Sequence, residues 1–157
     1  MPGERAAPLT SRARRVPLAR ISLRAEPAGV RDALARTRAA LARADPAPEC
    51  VDDVELVLAE VLNNIVTHAY ARHPGPIEVD LDLDPEGLAC EVRDHGRAMP
   101  DEAPPAGMPV RLDVDMAALP EGGFGWFLIR RHAHSLRYVR EGGVNRLSLL
   151  LPLYRPA

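Results

Sequence analysis

The sequence predicts an α+β domain: a two-layer α/β sandwich, with helices on one face of a mixed, mostly antiparallel sheet. Three observations carry this. Residues 77–84 alternate apolar and acidic side chains, turn at Pro85-Glu-Gly87, and return as a second run at 88–94, which makes a hairpin. Residues 27–43 and 48–72 repeat apolar side chains at helical spacing. A glycine cluster at 122–125 runs into an apolar helix, and a second hairpin about Glu141-Gly-Gly143 closes the chain.

The elements follow in order. Residues 1–15 are rich in Pro, Ala and Arg without periodicity, and read as a loose arm ahead of a domain at 16–157. Arg14 to Arg24 alternates through Val16 and Leu18, then shifts phase at Ile21 and Leu23, as an edge strand with an irregularity does. Pro27 opens the first helix, whose stripe is Val30, Ala33, Leu34, Thr37 and Leu41. Asp45-Pro-Ala-Pro48 breaks it. The second helix runs from about Pro48 to Arg72, with Glu49, Asp52 and Asp53 near its positive end. The acids from Glu78 to Glu86 read as the wet edge of the next strand. Residues 95–122 form a long Pro- and Gly-rich loop, of the kind that serves as a lid. Trp126 and Phe127 read as core on the third helix. His132 and His134, two apart on that helix, point to different faces and make no metal pair.

Composition narrows the function. The 157 residues suit one domain with one core. No apolar run reaches the ~18–20 residues needed to cross a bilayer. Residues 1–24 hold six arginines, but no apolar stretch follows them, so no secretory leader is expected. Cys50 and Cys90 are too few for a disulfide framework and read as cytosolic thiols. The net charge of −2 offers no basic field for nucleic acid. All 20 basic residues are arginine. Without lysine there is no Walker A loop, no eukaryotic-type kinase lysine and no Schiff base.

The most telling pattern lies in the second helix. Glu60, Asn64 and His68 stand four residues apart in an otherwise apolar run, Val54 to Tyr70. That spacing puts them in one narrow stripe, with Leu58, Leu62, Ile65 and Ala69 roughly opposite. An asparagine carbonyl can ligate Mg2+ beside phosphates without adding negative charge. A carboxylate one turn earlier can orient or deprotonate an attacking hydroxyl. His68 reads as a local hydrogen-bonding residue. Asp94, at the end of a strand and followed by Gly96, can accept a hydrogen bond from an exocyclic amine, although Asp-x-Gly alone is a common turn. Gly123 and Gly125 open a helix whose backbone N–H groups form an anion site, although a hinge would look the same.

Taken together these motifs resemble the GHKL ATPase superfamily: Glu-x-x-x-Asn on a helix, Asp-x-Gly after a strand, a lid, and Gly-x-Gly at a helix start. The nearer likeness is to its stand-alone branch, the bacterial anti-sigma factor serine/threonine kinases. Glu60-Val-Leu-Asn-Asn64-Ile-Val-Thr-His68-Ala-Tyr70 resembles that branch's N box, and Glu121-Gly-Gly-Phe-Gly125 its second glycine box. Asn145-Arg-Leu-Ser-Leu resembles its closing strand. The resemblance covers residues 16–154 and implies the Bergerat ATP-binding fold, with ATP and Mg2+ as cofactors. It implies that Asn64 binds the metal, that Glu60 is the catalytic base, and that Asp94 holds the adenine amine in a pocket shaped by Gly96. Gly123 and Gly125 would face the phosphates, and Asn145 would approach the adenine. Two departures stand out. Ala98 replaces a glycine, and Thr67 stands where many relatives carry a basic residue that Arg97 or Arg111 would have to replace.

The implied function is an ATP-dependent serine/threonine protein kinase that acts as an anti-sigma regulatory factor. It would phosphorylate an anti-sigma-factor antagonist (a STAS domain) and sequester a sigma factor in the cytoplasm, with a homodimer as a further assembly and no direct nucleic acid or membrane partner. The alternative is a non-catalytic nucleotide-binding module that switches by holding protein partners.

Overall fold

The computed structural model describes residues 14–105 and 123–154. Five strands form one sheet in the order β1-β2-β3-β5-β4: β1 Val16–Arg24, β2 Pro76–Asp84, β3 Gly87–Asp94, β4 Ser135–Glu141 and β5 Val144–Leu151. Every pairing among the described residues is antiparallel, so the sheet is not mixed. The connection that carries α3 returns the chain so that β4 runs parallel to β3, and the β4–β5 hairpin then reverses it, so that β5 pairs antiparallel with β3. The edge strand β1 carries the irregularity its phase shift foretold, between Pro17 and Ala19.

Three helices cover one face: α1 Pro27–Leu41, α2 Pro48–Asn64 and α3 Gly123–His132. Proline occupies the first turn of α1 and of α2, where its missing N–H costs nothing. A 3-10 turn at Ala42–Ala44 ends the first helical segment, and Asp45 leaves it at a left-handed φ of 47°. Asp tolerates that region better than most side chains. The expected stripe of α1 is buried at Val30, Ala33, Thr37 and Leu41. Buried Thr37 satisfies its hydroxyl by donating to Ala33 O at 2.9 Å.

Alpha-helical geometry in the second helix stops at Asn64, short of the expected Arg72. A π-helical turn, Ile65–Ala69, follows it, closed by Tyr70 N–H donating to Ile65 O at 3.0 Å. The wider turn takes His68 off the straight line from Glu60 through Asn64. In α3 the helix ends at His132, so His134 lies beyond it. Of the acids assigned to the start of α2, only Glu49 lies in its first turn. Asp52 instead pairs with Arg38 of α1.

Strand alternation fixes the two faces of the sheet. Ile77, Val79 and Leu81 of β2 point inward with Val92, Cys90 and Leu88 of β3 and Leu147, Leu149 and Leu151 of β5. They close on Val54, Val57, Leu58, Val61 and Leu62 of α2 and on Ile129 of α3. Burial pushes the Cys90 thiol up to about 12, so it is an inert core group. The opposite face is ionic rather than merely wet. Arg93 donates to Asp80, Glu78 and Glu91 at 2.7–2.8 Å. Arg20 pairs with Asp82 at 2.9 Å. These bonds hold the Arg93 guanidinium well above its ordinary value, Asp80 contributing most.

Asp84 breaks the wet-face pattern, because its side chain is wholly buried. Arg15, which the composition assigned to the arm, donates to its Oδ2 at 2.9 Å. Glu86 N–H donates to Oδ1 at 3.0 Å. Burial alone would raise this carboxyl, but the two donors outweigh it and hold it below its usual 3.8. A lowered folded value stabilises the fold above the unfolded value, and that contribution disappears as pH falls through the folded one. Asp84→Asn is therefore expected to unfold at lower urea than the native chain at neutral pH. The gap between the two should close below about pH 4, as followed by circular dichroism.

Candidate functional site

The alternating register of the sheet builds the site. The last inward row runs across three strand pairs: Ile77 opposite Asp94, Asp94 opposite Asn145, and Asn145 opposite Arg140. The row behind it, Val79, Val92, Leu147 and Tyr138, is apolar apart from one hydroxyl. Polarity thus begins where the sheet ends, on the side that faces α2 and α3.

A cavity of about 510 Å3 opens there. Val61 and Asn64 form its α2 wall, with Ile65, Thr67, His68 and Ala69 from the π-turn. Asp94 and the segment from Arg97 to Pro100 form a second wall, Tyr138, Asn145 and Leu147 the floor, and Trp126 a further side. Its size falls within the ~300–1,000 Å3 usual for ligand pockets.

Asp94 and Asn145 are 5% and 4% exposed, and their burial is offset by hydrogen bonds. Asn145 Nδ2 donates to Asp94 Oδ1 at 2.8 Å, to Arg97 O at 3.0 Å and to Gly96 O at 3.2 Å. Its Oδ1 accepts from Tyr138 Oη at 2.6 Å and from Arg140 Nη1 at 2.7 Å. Asn145 lines the cavity, but its amide is committed to protein partners. Asn145 was expected to approach the adenine; it lies in the cavity lining, where its hydrogen bonds support Asp94. Asp94 Oδ1 also accepts from Gly96 N–H at 2.9 Å.

Asn64 is the opposite case. Its Nδ2 is buried in the α2 wall with no hydrogen-bond partner among the described residues. A buried amide left unpaired costs on the order of 1–3 kcal/mol, so the position asks for a ligand. Glu60 lies one turn back and is not part of the cavity wall. Its Oε2 sits under α3, and a Cβ on Gly125 would come within 2.5 Å of it. That atom is the tip of a flexible side chain, so Gly125 marks where α3 passes close to Glu60 and does not bar a side chain there. Gly96 is the strict case, since a Cβ there would meet the backbone Ala69 O at 2.4 Å. Gly123 begins α3. Arg111 and Gly122 lie outside the described residues, as does the lid from 106 onward.

The π-turn is tied to the segment after β3. Ala69 O accepts from Arg97 N–H at 2.9 Å. Tyr70 Oη donates to Pro76 O at 2.8 Å and accepts from His95 N–H at 2.7 Å. Burial raises this phenol above its usual 10.0, which keeps it a donor at neutral pH. His68 is exposed and lines the cavity, as does Arg97. Arg130 of α3 donates to Pro105 O at 2.8 Å and Pro104 O at 3.1 Å, clasping the start of the loop. Among the described residues no group of three His, Cys, Asp or Glu side chains could hold a metal. A cation here would depend on the Asn64 amide and on a ligand's own oxygens.

Sequence reasoning missed Tyr138, Arg140 and the bracing role of Tyr70. The signal for the first two was present. Gly142 and Gly143, both at positive φ (58° and 77°), make a two-residue turn, and that turn fixes Asn145 opposite Arg140.

Comparison with known proteins bears on the family and the fold. The sequence model of the family described as "Histidine kinase-like ATPase domain" matches residues 23–151. The serine/threonine-protein kinase BtrW of Bordetella bronchiseptica is 35% identical over 91 residues, 57% of this chain and 62% of that protein. The serine-protein kinase RsbW of Staphylococcus epidermidis is 26% identical over 105 residues, 65% of this chain and 66% of that protein. The chain thus spans just under two thirds of these relatives. A crystal structure of the RsbU and RsbW domains of a Mycobacterium tuberculosis protein superposes with a TM-score of 0.60. That likeness, at 21% identity, covers 88% of this chain and 33% of the other, and it shows a shared fold.

Tyr70→Phe keeps the ring and removes both hydroxyl bonds. It is expected to lower stability by about 1–2 kcal/mol in urea titration. Hydrogen exchange at Arg97 N–H should quicken more than in the centre of β3.

Proposed function

The chain belongs to the histidine kinase-like ATPase domain family, and from that premise we propose that it is an ATP-dependent serine/threonine protein kinase. It acts as an anti-sigma regulatory factor, phosphorylating a STAS-type antagonist and sequestering a sigma factor in the cytoplasm, with homodimerisation as part of that assembly. The observation that carries this reading is the buried, unpartnered amide of Asn64 in a cavity shared with Asp94.

The residues present fit a magnesium nucleotide. Turned about its last torsion, the Asn64 side chain offers Oδ1 where Nδ2 now lies, so either atom can serve the ligand. Asn64 is the residue that would hold Mg2+, and the bound cation supplies charge neutralisation at the phosphate oxygens. Asp94 Oδ1 is taken up by Gly96 and Asn145, and Oδ2 is the atom we assign to the exocyclic amine of adenine. The apolar wall at Val61, Ile65 and Trp126 excludes water from the base. Gly123 and Gly125 bring the first N–H groups of α3 toward the phosphates. Glu60 takes the proton of the attacking serine hydroxyl as its oxygen accepts the terminal phosphoryl group and ADP leaves. Catalysis of this kind is mainly positioning and electrostatics.

A second reading keeps the nucleotide and omits the transfer. It is favoured by the place of Glu60, outside the cavity wall and under Gly125. Incubation with labelled ATP and a set of STAS-domain proteins separates the two: label on a serine supports the kinase, and tight complexes without label support the holding module.

Two substitutions test the assigned roles. Asn64→Ala is expected to weaken ATP binding at least about tenfold in the presence of Mg2+ and far less in its absence, by calorimetry. Glu60→Gln is expected to leave ATP affinity within about twofold while phosphotransfer falls by roughly 10²–10⁴. Undiminished transfer would remove Glu60 from the role of base.

A further inference from the structure

The hydrogen bonds around Asn145 all run in one direction, and we infer that Arg140 and Tyr138 are positioning residues that set how Asp94 reads the base. The inference rests on the nucleotide reading above and adds the origin of its selectivity.

The direction follows from donor and acceptor chemistry. Met99 N–H can only donate, and it donates to Tyr138 Oη at 3.1 Å. A phenol has one proton, which Tyr138 then directs to its other partner, the Asn145 oxygen 2.6 Å away. Arg140 Nη1, also a pure donor, reaches the same oxygen at 2.7 Å. Two donors on one atom make it the carbonyl end of the amide. Its NH2 end must then face Asp94 Oδ1, at 2.8 Å, and the carbonyls of Gly96 and Arg97. All three are acceptors, so the assignment is consistent at both ends.

Reversal of that amide would set an oxygen against the Asp94 carboxylate and an NH2 group against two donors. Tyr138 and Arg140 prevent this. Arg140 Nη1 also donates to Gly96 O at 3.0 Å, so it holds the turn after Asp94 as well as the amide behind it. Arg140 is not part of the cavity wall, so it acts through Asn145 and not on the ligand. Because one nitrogen makes both bonds, an ammonium group can replace it where a thioether cannot. The relay starts at Met99, at the beginning of the loop. The reading of the base and the placement of that loop are thereby one device.

The test uses the full chain and compares ATP with inosine triphosphate. The latter keeps the phosphates and replaces the 6-amino group with an oxo group that cannot donate to a carboxylate. The native chain is expected to prefer ATP. In Arg140→Met the ATP affinity should fall about tenfold with inosine triphosphate affinity unchanged, which removes most of the preference, and Arg140→Lys should restore it. Tyr138→Phe should narrow the preference in the same sense, and it carries the test if Arg140→Met does not fold. Melting temperature, measured alongside, separates positioning from stability. An unchanged preference in the folded variants overturns the relay and leaves the nucleotide reading standing. So does a parallel loss for both nucleotides that tracks melting temperature. A native chain that binds neither nucleotide overturns both.

Discussion

The contact on which the site depends is the cross-strand pair of Asp94 and Asn145. It is a buried carboxylate beside a buried amide, at the last inward position of β3 and β5. Neither residue is tolerable there alone, since an unpaired buried polar group is costly. Together they need the donors of Tyr138, Arg140 and Gly96, and those groups need the register that the Gly142-Gly143 turn sets. A one-residue slip of β5 would turn Asn145 outward and bring Arg146 in. The sheet is therefore the ruler of the site as well as its support.

On the helical side the constraint is close approach. Alpha-helix gives way to a π-turn just after Asn64, and the freed carbonyl of Ala69 accepts from Arg97. Gly96 removes a Cβ that would meet the carbonyl of Ala69 and hold the two walls apart. The result is a cavity whose wall carries, among the described residues, a buried Asn64 amide with no partner. A strained or unsatisfied feature retained in an otherwise consistent fold points to function.

Much of this was legible beforehand, because period and punctuation are local. The 2.0 and 3.6 repeats gave the strands and helices, and Pro27, Pro48 and the Gly pairs marked their ends. Asn64, Asp94 and Asn145 were picked out by residue type against an apolar background, and the fold does bring them to one cavity. What escaped was non-local. The π-turn is tied at its end to distant backbone, through Arg97 N–H on Ala69 O and His95 N–H on Tyr70 Oη, contacts the helical repeat does not encode, and the helix was read too long. Asp84 looked like one more wet acid until Arg15, 69 residues away, buried it. The saturation of Asn145 depends on Arg140 and Tyr138, whose relevance appears only when the hairpin register is counted out.

In the proposed reading Asn64 and Asp94 face one magnesium nucleotide. The most direct measurement is NMR of the nitrogen-15-labelled chain during titration with ADP and Mg2+, with the side-chain amide of Asn64 as reporter. The expected result is a large shift of that amide, dependent on Mg2+, together with shifts at the backbone of Asp94 to Arg97 and of Gly125. An unmoved Asn64 amide, with shifts confined to the ionic outer face of the sheet, would contradict it.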